Sequence, residues 1–193
     1  MIITQTPVRI SFFGGGTDFP EFFSRHGGAV LSTTIDKFCY LTVSYLSDFF
    51  DYRIKVTYSK TELLSDYEKI EHPAVKACLA HTGITSNIEI NYFSDLPART
   101  GLGTSSSFVV GLLRALYAYR GRRVSSRQLA EEAVYLEREV VNEHVGLQDQ
   151  YAAAFGGFNY IEFEGENSVR VEKVVYNPEL FGKLSDNLLL FYT

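Results

Sequence analysis

Two cysteines, Cys39 and Cys78, are all that the chain contains. They are too few for a disulfide framework and lack metal-ligand spacing, so each reads as a small core residue. Basic charge is also short: 18 Lys and Arg stand against 23 Asp and Glu, a formal net charge of −5. A nucleic-acid or anionic-membrane surface needs the opposite balance, so neither partner is expected. A local anion site survives this exclusion, because a few backbone N–H groups bind phosphate without altering net charge. No run approaches the roughly 20 apolar residues that span a bilayer. Met1 to Pro7 carry neither a basic segment nor a long apolar core, so no signal peptide is expected and the cytoplasm is the default location. Internal repeats, low-complexity tracts and charge blocks are missing too.

What remains is globular. The 193 residues are 46% hydrophobic and 21% charged, enough for one or two packed domains. Val8, Ile10 and Phe12 alternate with Arg9, Ser11 and Phe13, the pattern of a strand. Gly14-Gly15-Gly16 stops it, and Thr17 or Asp18 is placed to cap a short helix through about Arg25, with Pro20 in its first turn. Segments 29–46 and 52–59 are rich in Val, Ile, Thr and Tyr and read as strands, as does 87–93. Helices are expected near 73–82, 103–119, from Ser125 or Ser126 to about Asn142, and at 147–155. Strands follow near 158–163, 169–175 and 187–192. Blocks of strand and helix mix without regular alternation, so the expected class is α+β with a mainly antiparallel mixed sheet.

Four stretches carry chemistry. The first is Leu96-Pro97-Ala98-Arg99-Thr100-Gly101-Leu102-Gly103-Thr104-Ser105-Ser106-Ser107, between a strand and an apolar helix. Gly101 and Gly103 permit close backbone approach, and the first-turn N–H groups of the helix favour an anion. The following hydroxyls add donors or metal-ligand oxygens. No Gly-Lys-Ser/Thr ending is present, so this is not a Walker A loop. A plain serine cap would need one serine and neither glycine.

The second is an acid on an apolar face. On a wheel of roughly 100° per residue, Leu129, Ala130, Ala133, Val134, Leu136, Val140 and Val141 form one arc, with Glu137 near its centre. An unpaired buried carboxylate costs several kcal/mol, so Glu137 needs an Arg, a proton or a cation. Beside a phosphate loop, Mg²⁺ suits its oxygens. The third is Gly146-Leu147-Gln148-Asp149-Gln150-Tyr151, where Asp149 falls in the first turn of a small-residue helix. There it serves either to offset the helix dipole or to orient and deprotonate a hydroxyl. The fourth is Arg9 to Asp18, in which three glycines leave room for a ligand and Asp18 is an N-cap, a sugar-hydroxyl ligand or both. His26, His72, His81 and His144 sit in polar or helix-end contexts and read as surface residues.

These pieces, in this order, resemble the GHMP small-molecule kinases along nearly the whole chain. Leu96-Pro97 through Ser106 is similar to the family's ATP phosphate loop. Arg9 to Asp18 resembles the sugar motif of the galactokinase branch, with Gly14-Gly15-Gly16-Thr17-Asp18 where galactokinases carry Gly-Glu-His-Thr-Asp. That glycine version, with Gly146 to Gly157, is most similar to the heptose 7-phosphate kinase branch, whose products lead to nucleotide-activated heptose for surface polysaccharide. The resemblance implies ATP and Mg²⁺ as cofactors and a sugar or sugar phosphate as partner. It implies Asp149 and Arg9 as catalytic residues. The triphosphate falls to Pro97, Gly101, Leu102, Gly103, Thr104, Ser105 and Ser106, the metal to Ser105 and Glu137, and the sugar to Gly15, Gly16, Thr17 and Asp18. Arg25, Lys37 and Arg99 are candidates for an acceptor phosphate. Other acceptors, such as fucose or galactose, and a non-catalytic sugar-binding module on the same scaffold are the rival readings.

The family's members are usually longer, and Asn187 to Thr193 end on an apolar run. The expected organisation is therefore an ATP- and sugar-binding domain over 1–185, with 186–193 opening a second domain. An apolar face prone to self-association and weak turnover by the chain alone follow from that expectation.

Overall fold

A computed structural model describes residues 1–97, 100–165 and 168–189. The chain builds a seven-stranded sheet with helices packed on it. Seven strands run β1 (Ile2–Phe13), β2 (Gly28–Tyr45), β3 (Ile54–Thr57), β4 (Thr61–Leu64), β5 (Ile88–Ser94), β6 (Phe158–Glu164) and β7 (Ser168–Lys173). Their order is β4-β3-β5-β2-β6-β7, with β1 along the other side of β2. Every described pairing is antiparallel except β3 with β5. The mixed, mainly antiparallel α+β class expected from the sequence is the one observed.

The 18-residue β2 organises the sheet. Gly28–Thr33 pair with β6, Cys39–Tyr45 pair with β5, and β1 covers both stretches from the opposite side. Register shifts at Pro7/Arg9 and Ser11/Phe13 interrupt the β1 ladder on either side of Arg9–Ser11. Pro7 lacks an N–H for the ladder, so an irregularity is its natural place.

The helices are α1 (Pro20–His26), α2 (Pro73–Thr82), α3 (Thr104–Tyr119), α4 (Ser126–Tyr135), α5 (Gln148–Phe155) and α6 (Pro178–Asp186). α3 is apolar on nearly every side and buried, lying against β1 and β2. Its approach depends on Gly111: a Cβ there would lie 2.6 Å from Thr6 Oγ1, and Thr4 Oγ1 donates to the Gly111 carbonyl at 3.1 Å. α5, rich in alanine, packs on the same two strands and on α3 and α4.

Three local expectations need correction. α1 is capped by neither Thr17 nor Asp18: its N-cap is Phe19, with no side-chain bond. The helix expected to run to Asn142 changes pitch instead. Ser125 caps α4, accepting from Gln128 N at 3.1 Å, but Leu136–Val140 form a π-turn. The strand expected at 187–192 is not seen in its described part, since 187–189 follow α6 without strand structure; 190–193 lie outside the described residues. Cys39 and Cys78 are both buried and unpaired, as expected.

Candidate active site

The glycine loop enters α3 through two left-handed residues, Gly101 at φ +74° and Gly103 at φ +77°. Gly103 is the N-cap of α3 and, among the described residues, no side chain accepts from the first turn, which leaves those N–H groups available. They open on a cleft of about 530 Å³ lined by Arg9, Gly101, Gly103, Thr104, Ser105 and Asp149 among others. Gly103 also packs against the acid: a Cβ on it would stand 3.2 Å from the Asp149 carboxyl.

Arg9 reaches across from β1. Its Nη2 lies 2.6 Å from Asp149 Oδ1, its Nη1 donates to the Gly101 carbonyl at 2.8 Å, and its backbone N–H donates to the Leu102 carbonyl at 3.0 Å. Its buried Nε has no partner among the described residues. One side chain therefore fixes both the loop and the acid, with a donor left over. Burial pushes the Asp149 carboxyl above its ordinary range, and the Arg9 charge pulls it back.

Glu137 is the first residue but one of the π-turn and only 1% exposed. Ser106 Oγ donates to both carboxylate oxygens, at 2.9 and 3.1 Å, Ser105 Oγ to one at 3.4 Å, and Gln150 Nε2 to the other. Burial still pushes its pKa up to about 7, against the lowering effect of Gln150 and Ser106. Glu137 thus ties the start of α3 to α5, one residue from Asp149. A π-turn at such a point is a common way to present a functional side chain.

Gly14 to Asp18 adjoin this cleft rather than line it. Thr17 Oγ1 donates to the carbonyls of Gly14 and Ala29 and accepts from Ala29 N, closing the loop on β2. Asp18, 1% exposed, accepts from Gly16 N at 3.1 Å, from Gln148 N at 3.1 Å and from Gln148 Nε2 at 3.2 Å. It caps α5, the helix of Asp149, rather than its own neighbour. Gly15 and Gly16 border open space.

The structure therefore brings Arg9, Gly101, Gly103, Thr104, Ser105 and Asp149 to one cleft, with Ser106 and Glu137 behind its wall and Asp18 beside it. Leu102 contributes its carbonyl to Arg9. Pro97 is exposed and does not line the cleft. Of the three cations considered for an acceptor phosphate, Lys37 is exposed on β2, Arg25 ends α1, and Arg99 lies outside the described residues.

Several residues went unseen in the sequence. His72, read as a surface residue, stacks on Phe108 at 5.0 Å and lines the cleft with Tyr92; burial lowers its pKa. Gln148 and Gln150, both buried, hold Asp18 and Glu137. Glu143 lines the cleft as well. Their flanking of Asp149 was the one available hint for the two glutamines; nothing local marks His72.

The fit to a bound nucleotide follows from these contacts. Uncapped first-turn N–H groups, positive-φ glycines and a spare Arg9 donor suit a polyphosphate. Oxygens of Ser105 and Glu137 within 3.4 Å of each other suit Mg²⁺.

Comparison with known proteins bears on the same segments. The family described as GHMP kinases N terminal domain matches residues 43–157. The D-glycero-alpha-D-manno-heptose 7-phosphate kinase of Campylobacter jejuni is 30% identical over all of this chain and 59% of its own length. An L-fucokinase/L-fucose-1-P guanylyltransferase of Bacteroides fragilis is 26% identical, over 83% of this chain and 20% of its own. Among solved structures, a D-glycero-D-manno-heptose 1-phosphate kinase from Bacteroides thetaiotaomicron superposes with a TM-score of 0.85 at 28% identity. That match covers 95% of this chain and 63% of the other. The chain thus spans about three fifths of the length of these two heptose kinases.

Proposed function

The chain belongs to the GHMP kinase family, and from that premise we propose that it acts in ATP-dependent phosphorylation of a sugar, at the anomeric hydroxyl of a heptose 7-phosphate. The observation that carries this reading is the Arg9–Asp149 pair, set against both glycines of the phosphate loop. Asp149 orients the acceptor hydroxyl and takes its proton as that oxygen bonds to the γ-phosphorus of ATP, while the bond from that phosphorus to the β–γ bridging oxygen breaks and ADP leaves. Arg9 favours the charged form of that carboxylate against the effect of burial and offers its spare Nε to the transferring group.

Gly101 to Ser106 cradle the triphosphate through backbone N–H groups and hydroxyls. Ser105 and Glu137 hold the metal, which when bound neutralises charge on the phosphates. Gly15 to Asp18 receive the sugar. Phosphoryl transfer depends chiefly on positioning and charge neutralisation, and these residues provide both. The cytoplasm supplies ATP for such a reaction, and activated heptose for surface polysaccharide is the outlet that fits.

The test is ADP release by the intact gene product with MgATP and, in turn, a heptose 7-phosphate, fucose, galactose and mannose. Preference for the heptose phosphate, and loss of turnover in Asp149→Asn, are expected. No release with any sugar, or an Asp149→Asn variant as active as the parent, overturns the reading.

A further inference from the structure

A second cleft, of about 410 Å³, borders the Gly14–Asp18 loop and shares no lining residue with the cleft of the glycine loop. Gly16 forms one wall, Arg25 and His26 come from the last turn of α1, and His144 comes from the segment before α5. We infer that this cleft binds the phosphate of a phosphorylated acceptor, a phosphomonoester dianion, with Arg25 and His144 as its specificity determinants. The inference rests on the sugar-kinase reading and refines it.

Position is the first argument. Asp18 accepts from Gly16 N through one carboxylate oxygen and from Gln148 N through the other, both at 3.1 Å. The second cleft is thereby one carboxylate away from the residue preceding Asp149. An acceptor that presents one end to Asp149 and lies along the Gly15–Asp18 loop extends its other end over Gly15 and Gly16. A Cβ added at either glycine would meet nothing within 4 Å, so the path is open.

Charge is the second. Arg25 and His26 at the end of α1 are suited to offset the helix dipole, which alone would explain them. It does not explain His144, which a separate part of the chain brings to the same cleft. The His144 ring is held against Phe19 at 5.1 Å and the His26 ring against Phe22 at 5.2 Å, so aromatic contacts fix both imidazoles. Glu21 also lines the cleft, yet Arg25 forms no ion pair among the described residues. In a chain of net charge −5, Arg25 and two imidazoles thus converge on one cleft, with no ion pair recorded for any of the three among the described residues. Such a cluster suits a dianion: Arg supplies a planar fork of donors, and each imidazole adds a ring N–H donor.

The experiment is calorimetric titration of the protein with D-mannose 6-phosphate, D-mannose and inorganic phosphate, repeated on Arg25→Gln/His144→Gln. Mannose shares the manno configuration of the heptose and differs from its 6-phosphate only in the group at issue. Wild type is expected to prefer the sugar phosphate to both other probes, and the double variant to lose about ten-fold or more of that affinity while mannose binding stays the same. Both substituted residues are exposed, so the variant keeps its fold. The inference is overturned by no binding of the 6-phosphate, by equal binding of the two sugars, or by undiminished binding in the variant. Inorganic phosphate binding as tightly as the sugar phosphate also overturns it, since the site would then serve a free ion. ADP release separates the two readings. Turnover of phosphorylated and plain sugars with equal kcat/KM leaves the kinase and removes this cleft's role, whereas sugar-phosphate binding with no turnover does the reverse.

Discussion

Asp18 accepts a hydrogen bond from the backbone of Gln148 at 3.1 Å, joining positions 130 residues apart in the chain. Gly146 makes that bond possible, because a Cβ at 146 would lie 1.9 Å from Asp18 Oδ2. Gly146→Ala is therefore expected to displace a carboxylate that is 1% exposed and to uncap α5. The cost should be about 2–3 kcal/mol, read as a fall in denaturant midpoint at unchanged m-value.

Arg9→Gln removes the cation from a carboxylate that burial already pushes upward. The Asp149 pKa should then rise further, so the acidic limb of the pH–rate profile moves to higher pH. Turnover at neutral pH should fall by about 10²–10⁴-fold. Arg9→Lys should rescue little, since a single ammonium cannot hold both the Gly101 carbonyl and Asp149.

Glu137 gives stability a pH dependence whose sign is fixed by its shift. Its folded pKa is raised from 4.5 to about 7, so the folded protein holds the proton more tightly than the unfolded chain. The contribution is fully present below about pH 4.5 and is lost as pH climbs through about 7, a swing of about 3 kcal/mol. Thermal melts of wild type should decline relative to Glu137→Gln between pH 5 and pH 8. Added Mg²⁺ should restore wild type at pH 8 and leave the variant unmoved.

Neighbouring serines should separate by readout. Ser106→Ala strips Glu137 of the donor that serves both its oxygens and should cost about 1–3 kcal/mol of stability. Ser105→Ala disturbs only a 3.4 Å contact and faces the cleft, so its effect should appear in Mg-nucleotide affinity with melting nearly unchanged.

Local chemistry made much of this site legible in the sequence. Gly101 and Gly103 announce a tight loop, and α3 follows it as expected. Glu137 was visible as a polar residue on an apolar face, and it is indeed inside. The same wheel put Val140 inside as well, yet Val140 is 49% exposed. The π-turn over Leu136–Val140 breaks the regular 100° step and leaves Val140 outside, and no residue type in that segment advertises the change. Asp18 shows the other limit. Its position before Pro20 is what a local N-cap looks like, and only the tertiary fold reveals that it caps α5 instead. α6 was missed although Asn177 and Pro178 form a legible start, because Gly182 interrupts its pattern.

Arg9 sits on a strand whose partner, β2, is complete by Tyr45, so a nascent chain can pair the two early. The counter-charge for Arg9 is made only when α5 leaves the ribosome. Until then the guanidinium can reach the Gly101 carbonyl, made earlier in the chain, but lacks Asp149, so its clamp between loop and acid stays half built.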